Sequence, residues 1–313
     1  MQAGPRRFAC TACGLCCNRG PELELSEATA LAGTFVTSLL FKVHSLPISD
    51  RSGWAAEWWR NRESRIPLRP ALDEAERHLR QFGRRRIDKQ SERQVFLDIS
   101  AIVDDEGPHC PALTDGRCAI YEARPLSCRT VPLHYSRPAS TLQAYVDRFV
   151  ATPGYRCDTT GAAPTLVEGN KVLDPQIAAD RERAVLLARK DRPWKEALLA
   201  VMDDPVRAAA ASLPTYPAVL NNSDAGYATM VPMIVAWRVA RREGLLSASD
   251  LIDLCGKQAD LIRIRLAQET GPGEDLRRSL AMYEQELATG AGPAPHPATG
   301  NRIDPSGSYS SGL

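Results

Sequence analysis

Four of the nine cysteines fall within eight positions, as Cys10-x2-Cys13-x2-Cys16-Cys17. Four more stand at remote positions in the first half of the chain: Cys110, Cys118, Cys128 and Cys157. Eight thiolates match two four-thiolate sites, either tetrahedral zinc or cubane iron–sulfur clusters, because each takes four Cys ligands. Adjacent Cys16 and Cys17 point in different directions along the backbone, so one could serve each of two neighbouring sites. Burying so many thiols together has no packing rationale, which sets metal binding ahead of inert core cysteines and of a labile disulfide set. Zinc fingers usually carry two separated CxxC knuckles, whereas closely spaced cysteines followed by remote ones follow the pattern of bacterial cluster-binding runs. The spacing therefore leans toward iron over Zn2+.

A four-thiolate site carries net negative charge, and Arg117, Arg124 and Arg129, within or beside the second cysteine group, are placed to offset it. His109 beside Cys110, and then His134, are the candidates for an extra ligand; His44, His78 and His296 have no spacing argument. Asp104, Asp105 and Glu106 could supply oxygen ligands, but Gly107-Pro108 after them makes an ordinary turn the plainer reading. Cys255 sits on the apolar face of an expected helix and reads as a buried small hydrophobe. No P-loop, GxSxG, HExxH or GxGxxG occurs, so catalytic residues are not identified.

With 313 residues and 43% apolar side chains the chain can bury a full core as one large domain or two ordinary ones. A net charge of +1 gives no general case for a polyanion partner. The first residues lack the apolar core of a signal peptide, and no apolar run approaches the ~20 residues that span a bilayer. The expected location is the cytoplasm, with no membrane contact. A reducing compartment in turn favours thiolates on metal over disulfides.

These residues have to be positioned by a small set of elements. Glu22-Leu-Glu-Leu reads as a short strand, and Ser26 as the cap of a helix beginning at Glu27. Gln94 to Val103 mixes alternation with β-branched residues and reads as a strand. Asp115-Gly116 is a tight-turn dipeptide that can fold Cys118 back toward Cys110. Between Asp50 and Arg93 lie twelve Lys/Arg against eight Asp/Glu, with Trp54, Trp58, Trp59 and the run Arg84-Arg85-Arg86. This segment is expected to be a solvated charged helix, clearest from Ala71 to Phe82, with the tryptophans packed on the neighbouring core; a docking surface is the sharper alternative. From Pro175 the character becomes helical, with helices expected over Asp180–Lys190, Trp194–Met202, Pro205–Leu213, Gly226–Arg242, Ser249–Glu269 and Glu274–Leu287. Pro232 should kink the helix that holds it. The tail from Gly290 lacks apolar mass and is expected to be disordered.

The fold class is thus α+β, mostly helical. A small Cys-rich metal-binding domain with short strands (1–165, with an insertion at about 45–95) is followed by an all-α half (166–289) and a tail (290–313).

Phe8-x-Cys10-x2-Cys13-Gly14-x-Cys16-Cys17, together with Cys110-Pro-x-Leu-x-Asp-Gly-Arg-Cys118-x-Ile-Tyr-Glu-x-Arg-Pro-x-x-Cys128-Arg, closely resembles the YkgJ-type cysteine cluster family. That family is described as a zinc- or iron-chelating domain, and flagellin lysine N-methylases carry a related cysteine domain. The match covers roughly residues 8–157; the 92 residues between Cys17 and Cys110 are long for the compact family domain, and the helical half has no counterpart. The resemblance implies a metal site more directly than a reaction. The expected function is a cytoplasmic metal-binding protein holding an iron–sulfur cluster or zinc through eight cysteines, with the helical half serving a protein or peptide partner. A metal-dependent protein modifier, such as a lysine N-methylase using S-adenosylmethionine, is the alternative. A zinc-structured nucleic-acid binder using Arg84 to Arg86 and the tryptophans is disfavoured by the near-neutral charge. Because residues about 100 positions apart must meet, folding of the first half should depend on metal.

Overall fold

The structure is a computed structural model and describes residues 4–17, 19–48, 68–88, 93–104, 109–221, 231–268 and 273–290. Its strands are β1 (Arg6–Arg7), β2 (Glu22–Leu23), β3 (Thr37–Pro47), β4 (Arg84–Asp88), β5 (Arg93–Val103), β6 (Leu113–Thr114), β7 (Arg117–Cys118), β8 (Thr165–Glu168), β9 (Lys171–Val172) and β10 (Val231–Pro232). Its helices begin with α1 (Leu25–Ala30), α2 (Leu68–Leu79), α3 (Leu126–Arg129), α4 (Leu142–Val150) and α5 (Pro175–Lys190). They continue with α6 (Arg192–Met202), α7 (Pro205–Ala210), α8 (Tyr216–Asn221), α9 (Ile234–Arg242), α10 (Ala248–Gln268) and α11 (Glu274–Thr289). The fold is α+β and mostly helical.

β5 is the central strand. Its apolar and β-branched residues run antiparallel to β3 from Thr37↔Val103 to Pro47↔Arg93, and every side chain from Gln94 to Ala101 is buried. The order is β10-β3-β5-β2, with β4 also on β5. Because β2 pairs with Ala101 and Ile102 while β4 pairs only up to Leu97, residues 98–100 have no strand partner on that edge among the described residues. On one face Leu39, Phe41, Leu97 and Ile99 join Leu198, Trp237, Ile262 and Tyr283 in a single apolar cluster, so residues from both sides of position 165 share it. On the other face Phe96 packs with Leu46 and with Leu72 and Ala75 of α2.

The strand at 94–103 and the helices near 71–82, 180–190, 194–202, 249–269 and 274–287 are all present, with shifted ends. Other expectations are corrected. Arg84 to Arg86 lie in β4, not on a solvated helix: Arg84 meets Glu196 and Asp203, Arg86 meets Asp203, and Arg85 donates to Gln94. Ser26 is inside α1, whose N-cap position is Glu24, and its backbone N–H and hydroxyl both donate to Asp191. Pro232 lies in β10 opposite Ser38, and α9 starts two residues later, so it kinks nothing. β3, α4 and α8 were not legible in the sequence; in β3 the polar Lys42, His44 and Ser45 interrupt the apolar run that marks a buried strand. Trp54, Trp58, Trp59, Asp105, Glu106 and the tail beyond Gly290 lie outside the described residues. Among the described residues, no helix is long and apolar enough to cross a membrane.

Candidate metal centre

Two sets of backbone contacts gather the cysteines. In the first, Phe8 is buried among Leu133, Val146, Leu166 and Val167, which anchors the N-terminal segment beside β8. Ala9 and Asp158 then exchange N–H···O bonds of 2.8 and 3.1 Å, and the Thr11 hydroxyl donates to Arg156 O at 2.9 Å. Cys10 and Cys157 therefore lie on adjoining extended segments. In the second, the Cys110 N–H donates to Cys17 O at 2.9 Å, and β6 and β7 pair Leu113 with Cys118 around a turn at Asp115 and Gly116. Both turn residues have positive φ, 51° and 75°, as a two-residue hairpin of this type requires. Gly14 sits on that turn: a Cβ there would lie 2.7 Å from Gly116 O and 2.9 Å from Leu113 Cδ1. α3 carries Cys128 and is held by Glu27, whose Oε1 accepts the Leu126 N–H at 2.8 Å.

The electrostatics of the thiols follow the same division. The Cys16 thiol is lowered by a hydrogen bond from Cys17, against burial and the fields of Cys10, Cys157 and Cys13. Cys157 is raised by burial and by Cys13 and Cys10. Cys128 is pushed up to about 12 by burial and by Cys110, Cys17 and Cys118. Cys16 and Cys157 thus feel Cys10 and Cys13, while Cys128 feels Cys110, Cys17 and Cys118. The Cys16–Cys17 hydrogen bond, which raises Cys17, links the two sets.

All nine cysteines are reduced thiols, seven of the eight in these groups being half-buried and Cys10 exposed. Among the described residues, no group of three or more His, Cys, Asp or Glu side chains stands close enough to hold a metal ion as placed. The thiols are grouped but open. As a donor set, four sulfurs per group suit zinc or an iron–sulfur cluster.

Of the expected accessory residues, Arg124 stacks 3.7 Å over the Tyr121 ring, and its charge lowers Cys17. Arg129 instead pairs with Asp180 at 2.9 Å, and Arg117 is exposed on the hairpin. His109 is exposed. His134 is half-buried, stacks on Tyr135 and bonds Ser136 through Nδ1 at 2.8 Å; desolvation lowers it to about 4. Neither histidine joins the thiols. Cys255 is fully buried in the main apolar cluster.

A second constellation is invisible to motif reading. Asp98, opposite Lys42 in the β3–β5 ladder, lies 2.8 Å from both Lys42 and Lys195; Lys195 also lies 2.8 Å from Glu24, and Lys42 pairs with Glu22. Burial pushes Asp98 up, and Lys195 and Lys42 more than reverse this, holding it below the usual carboxylate range. Glu24, by contrast, is pushed up to about 7 by burial, against the pull of Lys195. The only sequence signal is one charge inside each apolar run, as in Phe96-Leu-Asp-Ile-Ser100. Such a cluster fixes how α6 docks on the sheet more than it adds stability.

Compared with family models, curated proteins and solved structures, the chain matches none.

Proposed function

We propose that this chain is a cytoplasmic metal-binding protein of the YkgJ cysteine cluster type, holding an iron–sulfur cluster or zinc at two neighbouring four-thiolate sites. The observation that carries the reading is that backbone pairing brings remote cysteine segments together, Cys10 beside Cys157 through Ala9–Asp158 and Cys17 beside Cys110 through a direct hydrogen bond, with Cys118 on the adjoining hairpin. Cys10, Cys13, Cys16 and Cys157 would hold one metal centre, and Cys17, Cys110, Cys118 and Cys128 the other. Bound there, zinc would supply a rigid cross-link and an iron–sulfur cluster would supply an electron store.

The chain's own residues do the rest. Cys128, protonated when the site is open, must lose its proton on ligation. Arg124 favours the ionised form of Cys17. Glu27 holds the start of α3, and with it the Cys128 thiol, at the second group. Elemental analysis with an absorption spectrum of anaerobically purified protein tests the reading. Iron or zinc in stoichiometric amount is expected; metal-free protein with every thiol freely titratable overturns it.

A further inference from the structure

We propose that the open groove between α1, α3 and α5 is the docking site for an acidic peptide segment of a partner protein. The groove has a volume of about 500 Å³ and lies beside the second cysteine group, since α3 forms one wall and also carries Cys128. The opposite wall is a stripe of α5. Arg183, Leu186, Leu187 and Lys190 stand at i, i+3, i+4 and i+7, so they share one face roughly 10 Å long.

The lining is both charged and apolar. Leu186 is 62% exposed, although it belongs to a helix whose buried face is formed by Asp180, Ala184 and Ala188. Arg183 and Lys190 flank it; the charge of Arg183 acts on Glu27 across the groove. Other surface arginines form ion pairs: Arg80 meets Glu76 at 2.7 Å, Arg263 meets Asp260 at 2.8 Å and Arg278 meets Asp275 at 3.0 Å. Arg124 and Arg129 face the stripe, against Glu27 as the only acid in the lining. A chain of net charge +1 therefore lines one groove with Arg124, Arg129, Arg183 and Lys190 against Glu27, with Arg129 also held by Asp180.

The stripe selects a peptide over a bare anion. At ~3.3 Å per extended residue, 10 Å accommodates about three residues, whose acidic side chains can reach Arg183, Lys190 and Arg124 while an apolar one covers Leu186. An inorganic anion would use only the cations. The inference goes beyond the metal reading and does not require it.

Fluorescence anisotropy of the full chain with a labelled peptide of alternating Asp and Leu, six residues long, tests it. Saturable binding that weakens with salt is expected. The Arg183→Glu/Lys190→Glu double variant should bind at least ~tenfold more weakly, and Leu186→Ser should also bind more weakly. The alternating Lys and Leu peptide should not bind. Leu186→Ser alters no charge beside Glu27, so metal content measured on that variant should not change, which separates failure here from failure of the metal sites. Absence of saturable binding, undiminished binding by the double variant, or displacement by equimolar inorganic phosphate overturns the proposal.

Discussion

The adjacent pair Cys16 and Cys17 carries the most consequence of any two residues, because under the proposed reading one serves each of the two sites. With two independent centres, Cys16→Ser should lose the metal of the Cys10, Cys13 and Cys157 group alone, and Cys17→Ser that of the other, each leaving about half. Elemental analysis per chain reads this; complete loss in either variant would mean one shared centre. The protonated state of Cys128 also makes metal affinity pH-dependent: apparent affinity at the second group should rise by up to ~tenfold per pH unit for each proton released. Competition against a chromophoric chelator at pH 6.5 and 8 measures it, and equal affinities would exclude the protonated thiol. His134 acts in another way. Its folded pKa of about 4 lies below the ordinary value of 6.5, so the stability it contributes is present above pH 6.5 and is lost as pH falls toward 4. The size is about 3 kcal/mol for such a shift. Glu24 and Glu27, raised to about 7, act oppositely over part of that range, so the comparison has to be with His134→Asn. Urea unfolding should show a flatter acid limb in that variant; identical slopes would sink the assignment.

Among the elements, the β6–β7 hairpin and the loop that rests on it place Cys110 and Cys118 against Cys17. Gly14 and Gly116 both have positive φ, 70° and 75°, yet they differ in surroundings. At Gly116 an added Cβ meets nothing within 4 Å, whereas at Gly14 it meets the backbone oxygen of Gly116. Gly116→Ala should therefore cost only the left-handed backbone, about 1 kcal/mol. Gly14→Ala should cost more and also loosen metal retention, because the loop must lift off the hairpin. Thermal unfolding with metal content compares the two; a Gly14→Ala variant as stable as Gly116→Ala would rule out the close approach.

For the whole molecule, α6 is the junction: Leu198 and Leu199 enter the apolar cluster while Lys195 enters the buried charge cluster. Lys195→Met should leave Glu24 without its cation and weaken the hold on Asp98, destabilising the fold by about 3–5 kcal/mol. Denaturant unfolding followed by Trp194 and Trp237, both buried, reports it, and a loss under ~1 kcal/mol would show that the cluster is solvated. Chelation should have a local effect instead. Hydrogen exchange should quicken across residues 10–17 and 110–128 on metal removal, while α10 and α11, packed on the main cluster, stay protected.

The sequence by itself determined the candidate ligands, the Asp115-Gly116 turn, the β5 strand and the amphipathic helices, because each depends on residue type and on periods of a few residues. Only the tertiary structure decided which remote cysteine segments meet. Cys157 comes beside the N-terminal cysteines through the Ala9–Asp158 pairing, and Cys17 contacts Cys110, more than 90 positions away. Neither follows from local spacing. The buried charges are hidden for the same reason: Lys42, Glu24 and Lys195 read as surface residues until the sheet and α6 bring them onto Asp98, where mutual pairing offsets the cost of removing them from water.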